Sequence, residues 1–201
     1  MSQQPENLRV RRTRKLLRES LVDLIELRGF DHVTVAEITE RAMVSRAAFY
    51  RNYRDKFHLV EQIFDDAIAE LTGAMADADQ RPVRERLVSF FDHIGQYHRF
   101  YGALLGRNGS PWFQERMRTT LSDLASGHAP ADPGRPSVAA AAASPRPPDE
   151  SLSAAMLSAV FVQTITWWLA NDRPCSPREI ANRYARIATL IINDMSAEPS
   201  R

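Results

Sequence analysis

Two helix-start signals, Thr34 and Ser45, stand eleven residues apart, and they limit what this part of the chain can become. Thr34 offers a hydroxyl to the unpaired backbone donors of a first helical turn. Glu37, three residues on, can reach back to it and complete a capping box. Val35, Ile38 and Ala42 then share one helical face. Ser45 is a second N-cap, and after Ala42 only Met43 and Val44 precede it. Two short capped helices joined by about three residues match a helix-turn-helix, although an ordinary packed pair has the same spacing. The content of the second helix favours the former. Arg46, Tyr50, Arg51, Asn52 and Tyr53 fall within nine residues, a density of basic and hydrogen-bonding side chains that packing alone does not need. Small Ala47 and Ala48 would let the backbone approach a groove, and Phe49 is the natural core anchor.

The rest of the chain also reads as helical. Residues 9–28 carry Leu17, Leu21, Leu24, Ile25 and Leu27 at helical spacing, and Gly29 stops the run. Asp55 can cap a longer helix bearing Phe57, Val60, Ile63, Phe64, Ala67, Ile68 and Leu71. Pro82 marks another start, followed by Leu87, Phe90, Phe91 and Ile94. Further helices are expected at about 112–124, 151–170 and 177–195. Between them, residues 127–150 hold six prolines and a run of five alanines, and this composition reads as a mobile, disordered loop or linker. No strand-like alternation and no internal repeat is visible, so the expected fold class is all-α.

Composition limits function more than it reveals it. The 44% hydrophobic fraction suffices for a core, and no run approaches the ~18 consecutive apolar residues of a membrane span. The N-terminus is polar and lacks a signal-peptide core, so the expected location is cytoplasmic, with no membrane partner. Cys175 is alone and cannot form an internal disulfide or a multi-cysteine zinc site. His93 and His98 are five apart, the wrong spacing for one helix face, so no metal is expected. No nucleophile–base pair and no phosphate-cradling glycine loop appears, so neither an enzyme nor a cofactor is expected. Net charge is +1, but residues 1–60 hold 12 Lys/Arg against 8 Asp/Glu, and the remainder 14 against 17. A basic head on an acidic body points modestly to nucleic acid.

From Arg14 to Ile63 the chain resembles the DNA-binding domain of the TetR family of transcriptional regulators. The resemblance rests on Thr34, Ile38, Ala42, Ser45, the run Phe49-Tyr50-Arg51-Asn52-Tyr53, and Asp55-Lys56. Two positions depart from the pattern: Met43 stands where glycine is usual, and Asn52 where histidine or tyrosine is frequent. A weaker resemblance covers Phe100–Gly109 with Phe113, and Trp167–Pro177.

The resemblance implies an N-terminal three-helix DNA-binding domain over 1–56 and a helical bundle for dimerisation and ligand binding over 57–201. It implies a homodimer, formed through the last two helices, on a double-stranded, palindromic DNA operator. It implies phosphate contacts from Thr34, Tyr50 and Lys56, with Ser45, Arg51 and Asn52 also at the DNA. Arg46 and Ala47 would face base edges, Arg46 pairing with guanine or, on the blander reading, with a phosphate. Arg9, Arg11 and Arg12 are either a minor-groove arm or a solvated helix start. A small apolar or aromatic effector would bind in the body. Phe91, Tyr97, Tyr101, Trp112, Met117 and Trp168 are the candidates to line its pocket, set against plain core packing.

Overall fold

The computed structural model describes residues 8–72, 82–125 and 148–196. Every regular element among them is an α-helix, and the chain divides into two compact units that meet at Ser110 and Pro111. The first holds α1 (Leu8–Arg28), α2 (Val35–Arg41), α3 (Arg46–Tyr50), α4 (Lys56–Thr72), α5 (Val83–Gln96) and α6 (His98–Leu105). The second holds α7 (Pro111–Ala125), α8 (Pro148–Ala170) and α9 (Pro177–Ser196).

In the first unit α1 buries Leu17, Leu21 and Ile25 completely, and Ile38 of α2 and Phe49 of α3 close the same core. A residue with no exposed surface at each of these positions explains why three short or isolated helices hold together, since none is long enough to be stable alone. Packing extends past the three-helix motif: α4 lies against α5, and α6 against α1. The compact unit therefore runs on beyond residue 56, the boundary that the motif alone suggests.

One break is invisible in the sequence. The turn between α5 and α6 is made by Tyr97, at φ −105° and ψ 29°, with no proline or glycine at that position. Its amide donates to the His93 carbonyl, and its own carbonyl accepts from Tyr101. Both helices thus satisfy their end groups through one residue.

In the second unit α8 packs on both α7 and α9. Trp168 is the largest buried side chain there, and its indole Nε1 donates to the Cys175 carbonyl at 2.9 Å, tying the end of α8 to the turn that follows. Ser176 and Glu179 form a second capping box at the start of α9. Of the loop expected at 127–150, residues 127–147 lie outside the described residues, and 148–150 are the first turn of α8. Pro148 suits that place because the first helical amide has no intrahelical partner to lose. Within α8, Leu152–Ala170 has a mean hydropathy of 1.5, long and apolar enough by composition to cross a membrane. Core helices of soluble proteins pass the same test.

Candidate nucleic-acid interface

The helix-turn-helix is built by local chemistry. Thr34 Oγ1 accepts from the Glu37 amide at 3.3 Å, and the Glu37 carboxylate accepts from the Thr34 amide at 2.9 Å. Those bonds, first from the Thr34 backbone and then from its hydroxyl, hold the Glu37 carboxyl below its usual range, and Arg28 adds an ion pair at 2.6 Å. The end of α2 is a Schellman turn. Val44 donates to the Thr39 carbonyl and Met43 to the Glu40 carbonyl. Met43 itself sits at φ 52° and is 93% exposed. The left-handed turn is thus retained with methionine in glycine's place. Ser45 then caps α3 by accepting from the Ala48 amide at 3.2 Å.

Helix α3 has two faces. Phe49 is fully buried and meets Tyr53 at 5.5 Å between ring centroids. Arg46, Ala47, Tyr50 and Arg51 are exposed, Tyr50 to 57%, so four of the expected contact residues share one accessible surface beside the capped start of the helix. Tyr50 keeps an edge-on contact with Phe49, which orients its ring without burying it.

Three expected contacts are already committed within the protein. Lys56 is a correction: its ammonium donates to the carbonyls of Phe30 at 2.8 Å, Asp31 at 3.1 Å and Val33 at 2.9 Å. The charge also lies 4.5 Å from the Phe30 ring centroid. All three donors are used, so the side chain is a clamp between α4 and the loop before α2, with none left for a phosphate. Burial lowers its pKa, partly opposed by Asp31 and Glu37. Asn52 donates to the Ala48 carbonyl at 2.8 Å and accepts from Arg14 Nε at 3.4 Å, joining α3 to α1. Thr34 is exposed, but its hydroxyl serves the capping box. Arg9, Arg11 and Arg12 fall in the first turns of α1, the helix-start reading rather than a free arm.

Arg14 is a basic residue beside α3 that sequence reasoning did not single out; its only signal was its place in the Arg-rich run before Leu17.

The candidate ligand residues are packed. Phe91, Tyr97 and Tyr101 belong to the first unit, and Trp112, Met117 and Trp168 to the second. Phe91, Tyr101, Met117 and Trp168 have 1% exposure or less, as core packing requires. Tyr101 also donates to the Ile63 carbonyl at 3.4 Å, and burial pushes its pKa up. Tyr97 and Trp112 are half-buried. In the second unit, α8 and α9 frame an open apolar groove of about 570 Å³, lined in part by Val160, Trp167, Ile180, Tyr184 and Ile187.

Comparison with known proteins agrees with this geometry. Residues 17–63 match the model of the bacterial regulatory proteins of the tetR family, and residues 83–190 match a transcriptional regulator C-terminal region. Over 62 residues the chain is 39% identical to YxbF of Bacillus subtilis (strain 168), an uncharacterized HTH-type transcriptional regulator. That stretch is 31% of this chain and 16% of the relative, so the chain spans only a small part of that relative's length. Among solved structures, a TetR transcriptional regulator from Streptococcus agalactiae 2603V superposes with a TM-score of 0.56 at 19% identity, over 90% of this chain and 95% of that one. The dihydroxyacetone kinase operon activator DhaS superposes with a TM-score of 0.55 at 15% identity, over 94% and 98%. Likenesses at that identity speak to the fold.

Proposed function

Because the chain belongs to the TetR family of bacterial transcriptional regulators, a family of DNA-binding regulators rather than enzymes, we propose that it is a dimeric repressor of a palindromic operator, released by a small effector. The observation that carries this reading is the divided surface of α3: buried Phe49 fixes the helix, and Arg46, Ala47, Tyr50 and Arg51 are left accessible. Arg46 and Ala47, in the first turn, are placed to meet base edges. Tyr50, Arg51 and the capped starts at Thr34 and Ser45 meet phosphates. Residues 1–56 carry the reading head, and 57–201 the dimerisation and effector functions.

The dimer forms through α8 and α9. Trp167, Ile187, Leu190 and Ile192 are 44–68% exposed in the single chain, which is costly in water and is relieved by a second copy. That use also accounts for the apolar character of α8 without a membrane. Two heads on such a dimer reach successive major grooves about 34–36 Å apart. The protein works in the cytoplasm, where its operator is. The effector is apolar or aromatic, and release requires that it prefer the head spacing that does not fit DNA.

The test is to sequence the fragments that the protein enriches from its own genome, then to place the enriched site before a reporter. An inverted repeat and lower expression support the proposal. No enrichment, or enrichment without two-fold symmetry, defeats it, and higher expression would make the protein an activator. For the effector, a candidate is titrated with and without operator; equal affinity in both rules that compound out.

A further inference from the structure

Within the first unit, a cleft of about 320 Å³ lies between α1 and the junction of α5 with α6. Val22 and Phe100, both buried in the core, supply apolar wall, and Arg18, Gln96, Tyr97 and His98 supply polar groups. Its charges are unequal. Glu19, also at the cleft, faces Lys15 at 3.7 Å. Arg99 is held by Asp23 at 2.9 Å and Glu26 at 2.8 Å. Arg18 is half-buried, and its guanidinium lies 4.4 Å from the Tyr97 ring centroid. Among the described residues no carboxylate pairs with it. His93, whose ring meets Tyr97 at 4.6 Å, adds no charge: burial, helped by the positive Arg18 nearby, lowers its pKa to about 4.

The cleft therefore holds one partly desolvated cation that has an aromatic face but no counter-ion. A guanidinium stacked on a ring keeps its N–H edge available, and that edge matches a carboxylate bidentately. We propose that this cleft binds a small organic carboxylate, with Arg18 pairing the acid group and the apolar body of the ligand on Val22 and Phe100. The volume lies at the small end of ligand pockets, which suits a ring or a short chain. The walls are already fixed, because Arg99 on α6 bridges to two carboxylates of α1. Binding is a property of the protein alone and does not depend on the operator or on repression.

The experiment uses the full chain without DNA, with benzoate and hexanoate as probes and benzyl alcohol as the neutral control, read by calorimetric titration. Either acid is expected to bind, and the alcohol to bind far more weakly. Arg18→Gln should weaken the acid by about 10- to 100-fold, the scale of a lost charge-assisted pair. Gln96→Trp, at an exposed position on the cleft, should obstruct binding without touching Arg18 or the core, which guards against misfolding of the first variant. Lys15→Gln removes the same charge outside the cleft and should leave affinity unchanged. The proposal is overturned if neither acid binds, if the alcohol binds equally well, or if folded Arg18→Gln keeps the acid affinity.

Discussion

Replacing Lys56 with methionine separates a structural lysine from a phosphate-binding one. The variant keeps most of the aliphatic stem and deletes the three bonds to the carbonyls of Phe30, Asp31 and Val33. The two part-buried bonds contribute about 1.5 kcal/mol each and the exposed one about 0.5 kcal/mol. Freeing the lysine rotamers returns about 1.5 kcal/mol. The net loss is about 2 kcal/mol, which lowers Tm by roughly 4–8 °C in a chain of this size. The assay pairs thermal melting at fixed ionic strength with operator affinity measured across a salt series. The clamp predicts a lower Tm and an unchanged slope of log affinity against log salt, because no phosphate contact has been removed. An unchanged Tm with a slope reduced by about 0.9 would refute the clamp and restore Lys56 to the DNA backbone.

Met43→Gly should stabilise the head. The left-handed turn costs methionine about 1–2 kcal/mol, glycine returns about 0.5–1 kcal/mol of that as chain entropy, and the side chain is too exposed to lose packing. A Tm rise of about 1–4 °C by calorimetry checks it, and a fall would contradict it. His93 should make stability pH-dependent. Burial lowers its pKa from 6.5 to about 4, so the folded state binds fewer protons in that window. The stability is present above pH 6.5 and is lost as pH falls toward 4; a folded His93→Gln variant should show a flatter melting profile there. Ile187→Glu with Leu190→Glu should leave a folded monomer by sedimentation, since both positions are exposed apolar sites on α9. A dimer that survives the pair places the interface elsewhere.

The parts of the fold that were legible are those whose causes are local. Thr34 with Glu37, Ser45 with the Ala48 amide, and Asp55 with the His58 amide each bond within three residues, so short patterns reveal them. Ser176 with Glu179 has the same pattern and was readable in the same way. Lys56 was not readable, because its carbonyl partners lie 23 to 26 residues upstream and only tertiary folding brings them together. Asn52 and Arg14 are likewise joined across 38 residues. Among the expected ligand residues, aromatic composition could not separate a pocket wall from a core. Phe91 and Trp168 are shut into packing, while Tyr97, at a helix break with no proline or glycine to announce it, reaches a cleft.

The central claim, that α3 reads DNA through its exposed face, is tested most directly by footprinting an enriched genomic fragment with the native protein and with Arg46→Ala. The native protein should protect two patches centred 10–10.5 base pairs apart, or a multiple of that, on one side of the duplex. Arg46→Ala should fold normally, weaken specific binding by about 1–3 kcal/mol, and relax the preference at one position in each half-site. If Arg46→Ala keeps the same sequence preference, or weakens all sequences evenly, its base-reading role is wrong. A single protected patch contradicts the two-headed account.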